Sequence, residues 1–333
     1  MTADIAVVGF AQAPNVRRTA GTTNGVEMLV PVFAELFAAT GLSKSDVDFW
    51  CSGSSDYLAA RAFSFIAAVD AIGAVPPIME SHVEMDGAWA LYEAWVKLRT
   101  GEADTALVYG FGKSSAGNLR RTLALQLDPY TVAPLWPDSV TVAALQARLG
   151  IDAGRWSERA MAEVVGGDVD TLLTHPYIAD PLRRHDCAPI TDGASAIILA
   201  TGDRAREIND RPAWITGFEH RIDSGSLGAR DLTGSPSTVA AARAAGVDGV
   251  ELAELHAPFT HQAILLRDAL GLTKAVVNPS GGALAGNPMF AAGLSRIGEA
   301  ARRVFDGSHG RVLAHATSGP ALQQNLVCVM EGR

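Results

Sequence analysis

Apolar residues alternate between two spacings along most of the chain. Compact runs of β-branched and small apolar residues at 5–10, 47–51, 106–109, 194–200, 214–218, 250–256, 311–315 and 326–331 read as strands, and 276–277 adds a short one. Longer stretches with apolar residues every three or four positions read as helices. They cover 23–39, 59–72, 87–98, 239–245, 261–270 and 289–303. In the first of these Val26, Leu29, Val30, Phe33 and Leu36 share one face, and Gly41 ends it. Strands that alternate with helices predict mostly parallel sheets covered by helices.

The order of elements repeats. Pairing Ala6 with Trp214, Asp48 with Glu251 and Leu107 with Val312 gives offsets of 208, 203 and 205 residues. Three nearly equal offsets indicate a duplicated unit. The first copy spans 1–205 and carries a looser insertion at 113–189, with short helices at 139–149 and 156–165. The second copy spans 210–333. Two such α/β units packed together predict a five-layer αβαβα sandwich with two mostly parallel or mixed sheets, and a site between the halves.

Within the second copy, 276–303 reads as strand, glycine loop, helix. Gly281, Gly282 and Gly286 give the backbone freedom for a tight turn, and Pro288 suits a first helical turn. Phe290, Leu294, Ile297 and Ala301 then recur at helical spacing. A helix opening under such a loop directs free N–H groups and a positive dipole end at whatever lies above it, which suits a thioester or enolate oxygen. The same loop would serve equally as a buried turn.

Composition narrows the classes. Hydrophobic residues make up 48% and charged residues 19%, enough for a large core. A net charge of −9 with no Lys/Arg run argues against nucleic acid. No apolar run reaches bilayer length, and the chain enters a strand at once, so a cytoplasmic protein without a membrane span is expected. Cys51, Cys187 and Cys328 lack metal-ligand or disulfide spacing and read as core thiols of a reducing compartment, with no metal site.

Three segments resemble the thiolase superfamily, in particular sterol-carrier-protein thiolases and lipid-transfer-protein-like aldolases. Asn278-Pro279-Ser280-Gly281-Gly282 with Gly286-Asn287-Pro288 is similar to the family's Asn-Pro-Ser-Gly-Gly and Gly-His-Pro loop. Glu254-Leu255-His256-Ala257-Pro258-Phe259 is similar to its Glu-Leu-His-Asp-Ala-Phe segment, and Thr191-Asp192-Gly193-Ala194 to its Ser-Asp-Gly-Ala strand entry. The departures bear on chemistry. Glu84, in Glu84-Met85-Asp86-Gly87, stands where the resemblance puts the nucleophilic cysteine. The last loop, Ser318-Gly319-Pro320-Ala321-Leu322, has no thiol, and the Gly-His-Pro histidine is Asn287.

The resemblance therefore implies acyl-CoA chemistry without an acyl-cysteine. Retro-aldol cleavage of a branched 3-hydroxyacyl-CoA, such as a steroid side chain, to a ketone and a shorter acyl-CoA needs a base, oxyanion donors and an acid. His256 is the candidate base or acid. Asn287 and the loop N–H groups are candidate oxyanion donors, and Glu84 a carboxylate whose pKa would rise if buried. Asp86, Tyr57, Ser318 and the three loop glycines are candidate substrate contacts. Asp86 and Glu84 would serve equally as helix-terminal caps, Tyr92 as packing, and His82 as a partner of Glu84 or as a residue facing away. The alternatives are a catalytically silent acyl-CoA- or lipid-binding or scaffold subunit, and a thiolase using a cysteine-independent route. The resemblance further implies a homodimer and a separate zinc-ribbon/OB-fold acyl-CoA-binding partner, together a heterotetramer, with acyl-CoA as substrate and no cofactor.

Overall fold

The computed structural model describes residues 4–20, 25–56 and 64–333. Strands β1 (Ile5–Gln12), β2 (Phe49–Gly53), β3 (Met79–Val83), β4 (Thr105–Lys113) and β5 (Ile190–Thr201) form one block, in the order β3-β2-β4-β5-β1. Strands β6 (Ala213–Ile222), β7 (Leu252–Leu255), β8 (Val276–Val277), β10 (Arg311–Ser318) and β11 (Gln324–Glu331) form a second, in the order β8-β7-β10-β11-β6. Both blocks have the same directions. The second strand is parallel to the third and fourth, and the fifth is antiparallel to the fourth and first. The blocks do not remain separate sheets. They join where Ala6 pairs with Trp214 and Val7 with Ala213. Ala6 and Trp214, equated by the sequence repeat, thus face each other at the junction. A two-residue strand, β9 (Asn287–Pro288), lies off this path and pairs in parallel with β5.

Side chains on a strand point alternately to opposite faces, and the blocks use both. Ile5 and Val7 of β1 join a central core, while Ala6 and Val8 join an outer one. In β10, Val312, Ala314 and Ala316 face the centre and Leu313 faces out. The central layer holds α2 (Gly87–Arg99) and α7 (Ala292–Phe305). Helices α1 (Leu29–Thr40) and α4 (Gly202–Ile208) cover the first block through Leu29, Val32, Phe33, Leu36 and Ala205. Helices α5 (Pro236–Ala245) and α6 (Thr260–Ala269) cover the second. Five layers result. Helix α7 is buried on nearly every side, and Gly298 lets it lie against the Phe10 ring, which a Cβ would meet at 2.1 Å. Tyr92 packs on Phe218, ring centroids 5.2 Å apart, and is a core residue.

The insertion has no core of its own. Its main helix, α3 (Ser139–Asp152), places Ala143 and Ala147 in the outer core of the second block, beside Leu255 and Leu266. Some boundaries move from the sequence expectation. The 289–303 helix begins later, at Ala292, because Asn287 and Pro288 are taken by β9 and Phe290 adopts a left-handed φ of 62°. The described part of the 23–39 helix is a 3-10 turn, Gly25–Met28, followed by α1. Residues 59–63 of the 59–72 helix lie outside the described residues; a 3-10 segment, Ser64–Ala68, and a short helix, Val69–Ile72, follow. Among the described residues no helix is long and apolar enough to cross a membrane.

Candidate active site

The glycine loop anchors the end of β7. Asn278, at φ 51°, donates its N–H to Ala253 and accepts the Leu255 N–H at 2.6 Å on its side chain. Two residues on, Ser280 donates its N–H and Oγ–H to the fully buried Glu254 carboxylate, at 3.1 and 2.7 Å. Arg296 of α7 donates to both Glu254 and Ser280. A buried ion pair needs such extra hydrogen bonds to offset desolvation. The result is a rigid strand end from which His256 projects, its own N–H donated to the His315 carbonyl at 3.1 Å.

Asn287 reaches His256 from the other block. Strand β9 docks on β5, Asn287 opposite Ile190, and the Asn287 N–H donates to Thr191 Oγ1 at 3.0 Å. The neighbouring Asp192 receives the N–H and hydroxyl of both Thr19 and Ser115. These four bonds hold its pKa below the ordinary carboxylate value and tie down the loops around β5. His256 Nε2 then lies 2.9 Å from Asn287 Oδ1. Burial pushes the His256 pKa below the usual histidine value, and the nearby charge of Asp86 offsets part of that. The ring is therefore neutral at neutral pH. Its Nδ1 lies toward the Thr317 carbonyl without a well-formed hydrogen bond.

Asp86 has a structural duty beneath this pair. Its Oδ1 accepts the N–H groups of Ala88 and Leu294, at 2.9 and 3.0 Å, and its Oδ2 accepts that of Gly293 at 3.0 Å. One carboxylate caps both central helices, α2 and α7. Gly293 is required there, since a Cβ would lie 2.6 Å from Asp86 Oδ1. Of the N–H groups at the start of α7, expected to face a substrate oxygen, those of Gly293 and Leu294 are taken by Asp86. The loop glycines are a second correction: Gly281, Gly282 and Gly286 are not among the described residues that line the cavity. They shape the turn around Ser280, with Gly281 at φ 91° and Gly282 at φ 59°.

His256 and Asn287 open onto a cavity of about 1010 Å³, which Glu84, Asp86 and Ser318 also line. Glu84 is exposed, not buried, and its Oε1 accepts the Asp56 N–H at 2.9 Å. His82 stacks on Phe65 instead of meeting Glu84. Ser318 is half-buried at the end of β10, paired with Gln324. Tyr57 lies outside the described residues. Cys51 and Cys328 are buried in the central core, where burial pushes their thiols up. Cys187 is only half-buried: it packs against the outer core of the second block and also lines the cavity, its backbone paired with Phe259. Burial and Asp186 push its thiol up to about 11, so almost none is thiolate at neutral pH.

The sequence reading passed over Gln262 and the arginines of the cavity, Arg17, Arg18, Arg120 and Arg184, all of which line it. Nothing in their spacing marks them, because the cavity gathers them from segments far apart in the chain. Among the described residues no group of three His, Cys, Asp or Glu side chains is arranged to hold a metal ion.

No family model matches the chain. The acetyl-CoA acetyltransferase of Methanothermobacter thermautotrophicus is 32% identical over 174 residues, 42% of this chain and 45% of that protein. The benzoylsuccinyl-CoA thiolase subunit BbsB of Thauera aromatica is 25% identical over 191 residues, 47% of this chain and 50% of that protein. The chain thus spans about half the length of these curated relatives. Two solved structures align over nearly the whole chain. Human mitochondrial 3-ketoacyl-CoA thiolase gives a TM-score of 0.79 at 16% identity, covering 99% of both chains. The Ltp2-ChsH2(DUF35) aldolase gives 0.80 at 17% identity, covering 98% of both. The fold is the thiolase fold.

Proposed function

We propose that the chain binds an acyl-CoA and cleaves a branched 3-hydroxyacyl-CoA, of the kind a steroid side chain would supply, by a retro-aldol step. The observation that carries the reading is the buried, neutral His256 paired with Asn287 in a cavity where Glu84 stands at the expected nucleophile position and the nearest wall thiol, Cys187, is protonated. With the ring proton on Nδ1 toward the Thr317 carbonyl and the Asn287 amide turned to present its NH2, Nε2 is the bare nitrogen and takes the 3-hydroxyl proton. The O–H electrons form the ketone C=O, the C2–C3 bond breaks, and its pair becomes the thioester enolate. Asn287 donates a hydrogen bond to the enolate oxygen, and the proton on His256 passes to C2. The products are a ketone and a shorter acyl-CoA, with no net change in protons or oxidation state and no cofactor invoked. Arg17, Arg18 and Arg184 put positive charge on the cavity wall of a chain that is −9 overall, which suits the CoA phosphates.

The solved aldolase of this fold joins Ltp2 with ChsH2(DUF35), which supports a separate zinc-ribbon/OB-fold partner here. Strand β3 is an outer strand of the sheet with Met79 exposed, which supports a homodimer through that edge. The test incubates the protein, alone and with such a partner, with a branched 3-hydroxyacyl-CoA and follows ketone and shortened CoA ester by mass spectrometry. His256→Ala is expected to lower the rate by about 10²–10⁴. A second reading, a silent acyl-CoA-binding subunit, is favoured by one observation: Asp86 takes the Gly293 and Leu294 N–H groups at the start of α7, which are then not offered to an oxyanion. Binding without turnover under both conditions selects that reading.

A further inference from the structure

Two adjacent residues of β5 hold two walls of the cavity. Thr191 seats Asn287, and Asp192 beside it seats the segment that carries Arg17 and Arg18. After β1 the chain from 13 to 20 forms no helix or strand of its own, apart from one bridge. There Val16 and Asp192 exchange both backbone hydrogen bonds, at 2.7 and 3.2 Å. A short irregular segment keeps one shape only where its polar groups are held. Here they converge on a single side chain. The fully buried Asp192 carboxylate accepts the N–H and hydroxyl of Thr19, both at 2.8 Å, and those of Ser115, at 2.9 and 2.7 Å. Arg18 closes the circle by donating to the Ser115 carbonyl at 3.2 Å, which leaves most of its donors open. Arg17, Arg18 and Ser115 are among the described residues that line the cavity, whereas Asp192 and Thr19 are not. Arg120, on the same wall, is held differently, by an ion pair with Asp138.

We propose that Asp192 is a positioning residue that sets the preference for thioesters carrying the CoA phosphates, acting through Arg17 and Arg18. The inference rests on the acyl-CoA reading above. An arginine on an unfixed loop loses backbone as well as side-chain freedom when it grips a phosphate, and that loss subtracts from affinity. Val16 and Thr19 are fixed on either side of Arg17 and Arg18, so their backbone is set before the ligand arrives. A guanidinium so placed forms charge-assisted, often bidentate bonds to phosphate oxygens. The pantetheine arm without its phosphate is uncharged and gains nothing from them. Removing Asp192 therefore loosens the hold on the nucleotide end of the ligand and leaves the thioester end alone. The sign separates positioning from charge. Deleting a carboxylate near an anion site would by charge alone tighten binding, so a weakened affinity reports lost positioning.

Calorimetric titration of the full chain tests this with two probes: butyryl-CoA, and S-butyryl-pantetheine, which has the same thioester and arm but no phosphate. The wild type is expected to bind butyryl-CoA about tenfold more tightly, or better. In Asp192→Ala the butyryl-CoA affinity is expected to fall about tenfold, and the butyryl-pantetheine affinity to stay within about twofold of the wild type. In an Arg17→Ala/Arg18→Ala background, Asp192→Ala is expected to cause no further loss. A merely structural role weakens both probes alike, and that result overturns the proposal. So does an unchanged or tightened butyryl-CoA affinity in Asp192→Ala, and so does a full further loss in the double-arginine background. Where Asp192→Ala fails to fold, judged by circular dichroism, Thr19→Val removes one hydroxyl bond and keeps the backbone ones. It is expected to weaken butyryl-CoA binding alone, by about threefold; wild-type affinity in that variant overturns the proposal. A wild-type protein that binds both probes equally overturns the proposal and leaves the thioester reading standing. One that binds neither overturns both.

Discussion

Asp86 offers the sharpest check on how the site is held together. Its carboxylate satisfies three N–H groups on two helices, with Ala88 and Leu294 on one oxygen and Gly293 on the other. In Asp86→Ala both helix ends lose their cap, at about 1 kcal/mol each. Buried N–H groups left unpaired add about 1–3 kcal/mol. The expected loss is about 3–5 kcal/mol of unfolding free energy. Asp86→Asn keeps an oxygen for Ala88 and Leu294 but turns an NH2 toward the Gly293 N–H, so its loss is expected to be less than half as large. Because the Asp86 charge holds the His256 pKa up against burial, Asp86→Asn is also expected to move the His256 titration further down. Urea unfolding measures the first effect and NMR titration of the ring the second. A loss below about 1 kcal/mol in Asp86→Ala, or equal losses in both variants, would refute the double-cap account.

Other outcomes follow from the buried histidines, the cavity thiol and the Arg230 loop. His261 and His315 are fully buried with folded pKa values near 3, below the ordinary 6.5. Below pH 6.5 the unfolded chain gains protons that the folded chain refuses, so stability falls as pH drops from 6.5 toward 3. At pH 5 the cost is about 2 kcal/mol per histidine, measurable as a shifted urea midpoint, and His261→Gln should remove one share. Cys187 should react slowly with iodoacetamide at pH 7 and about tenfold faster per pH unit up to pH 10, while Cys187→Ser should leave CoA-ester binding unchanged in calorimetry. Arg230 donates to the Pro320 and Ala321 carbonyls, at 2.7 and 2.9 Å, and steadies a loop with positive φ at Gly319, Ala321 and Leu322. Arg230→Met should cost about 1–3 kcal/mol of stability and weaken CoA-ester binding; unchanged binding would mean that this loop does not touch the ligand.

The fold was legible because each strand and helix carries its own local signal, repeated in a second copy. Ala6 and Trp214, matched on spacing alone, turn out to be register partners on adjacent strands. His256 and Asn287 were legible from two short motifs, and they meet. What a sequence lacks is direction. Gly281 and Gly282 announce a turn without saying which side of it faces a ligand, and that side proved to be Ser280 and the buried Glu254. Asp86 reads identically as a cap or a contact until the second helix it caps is in view. Gln262 has no local signal at all, since an amide on a helix becomes notable only when its partner, Gln146, sits on a segment 116 residues away.

Strand β9 has a consequence for how this molecule can be divided. Asn287 is encoded with one half of the chain and hydrogen-bonded into the other, so neither half can assemble the pair with His256 alone. A backbone cut in the exposed turn after α4 would yield two fragments that are each inert. Mixing them restores the histidine contact only if β9 finds β5 again. Recovery of CoA-ester binding on mixing would then report that the halves have rejoined, with β9 on β5, β1 against β6 and Asp86 on α7 restored together.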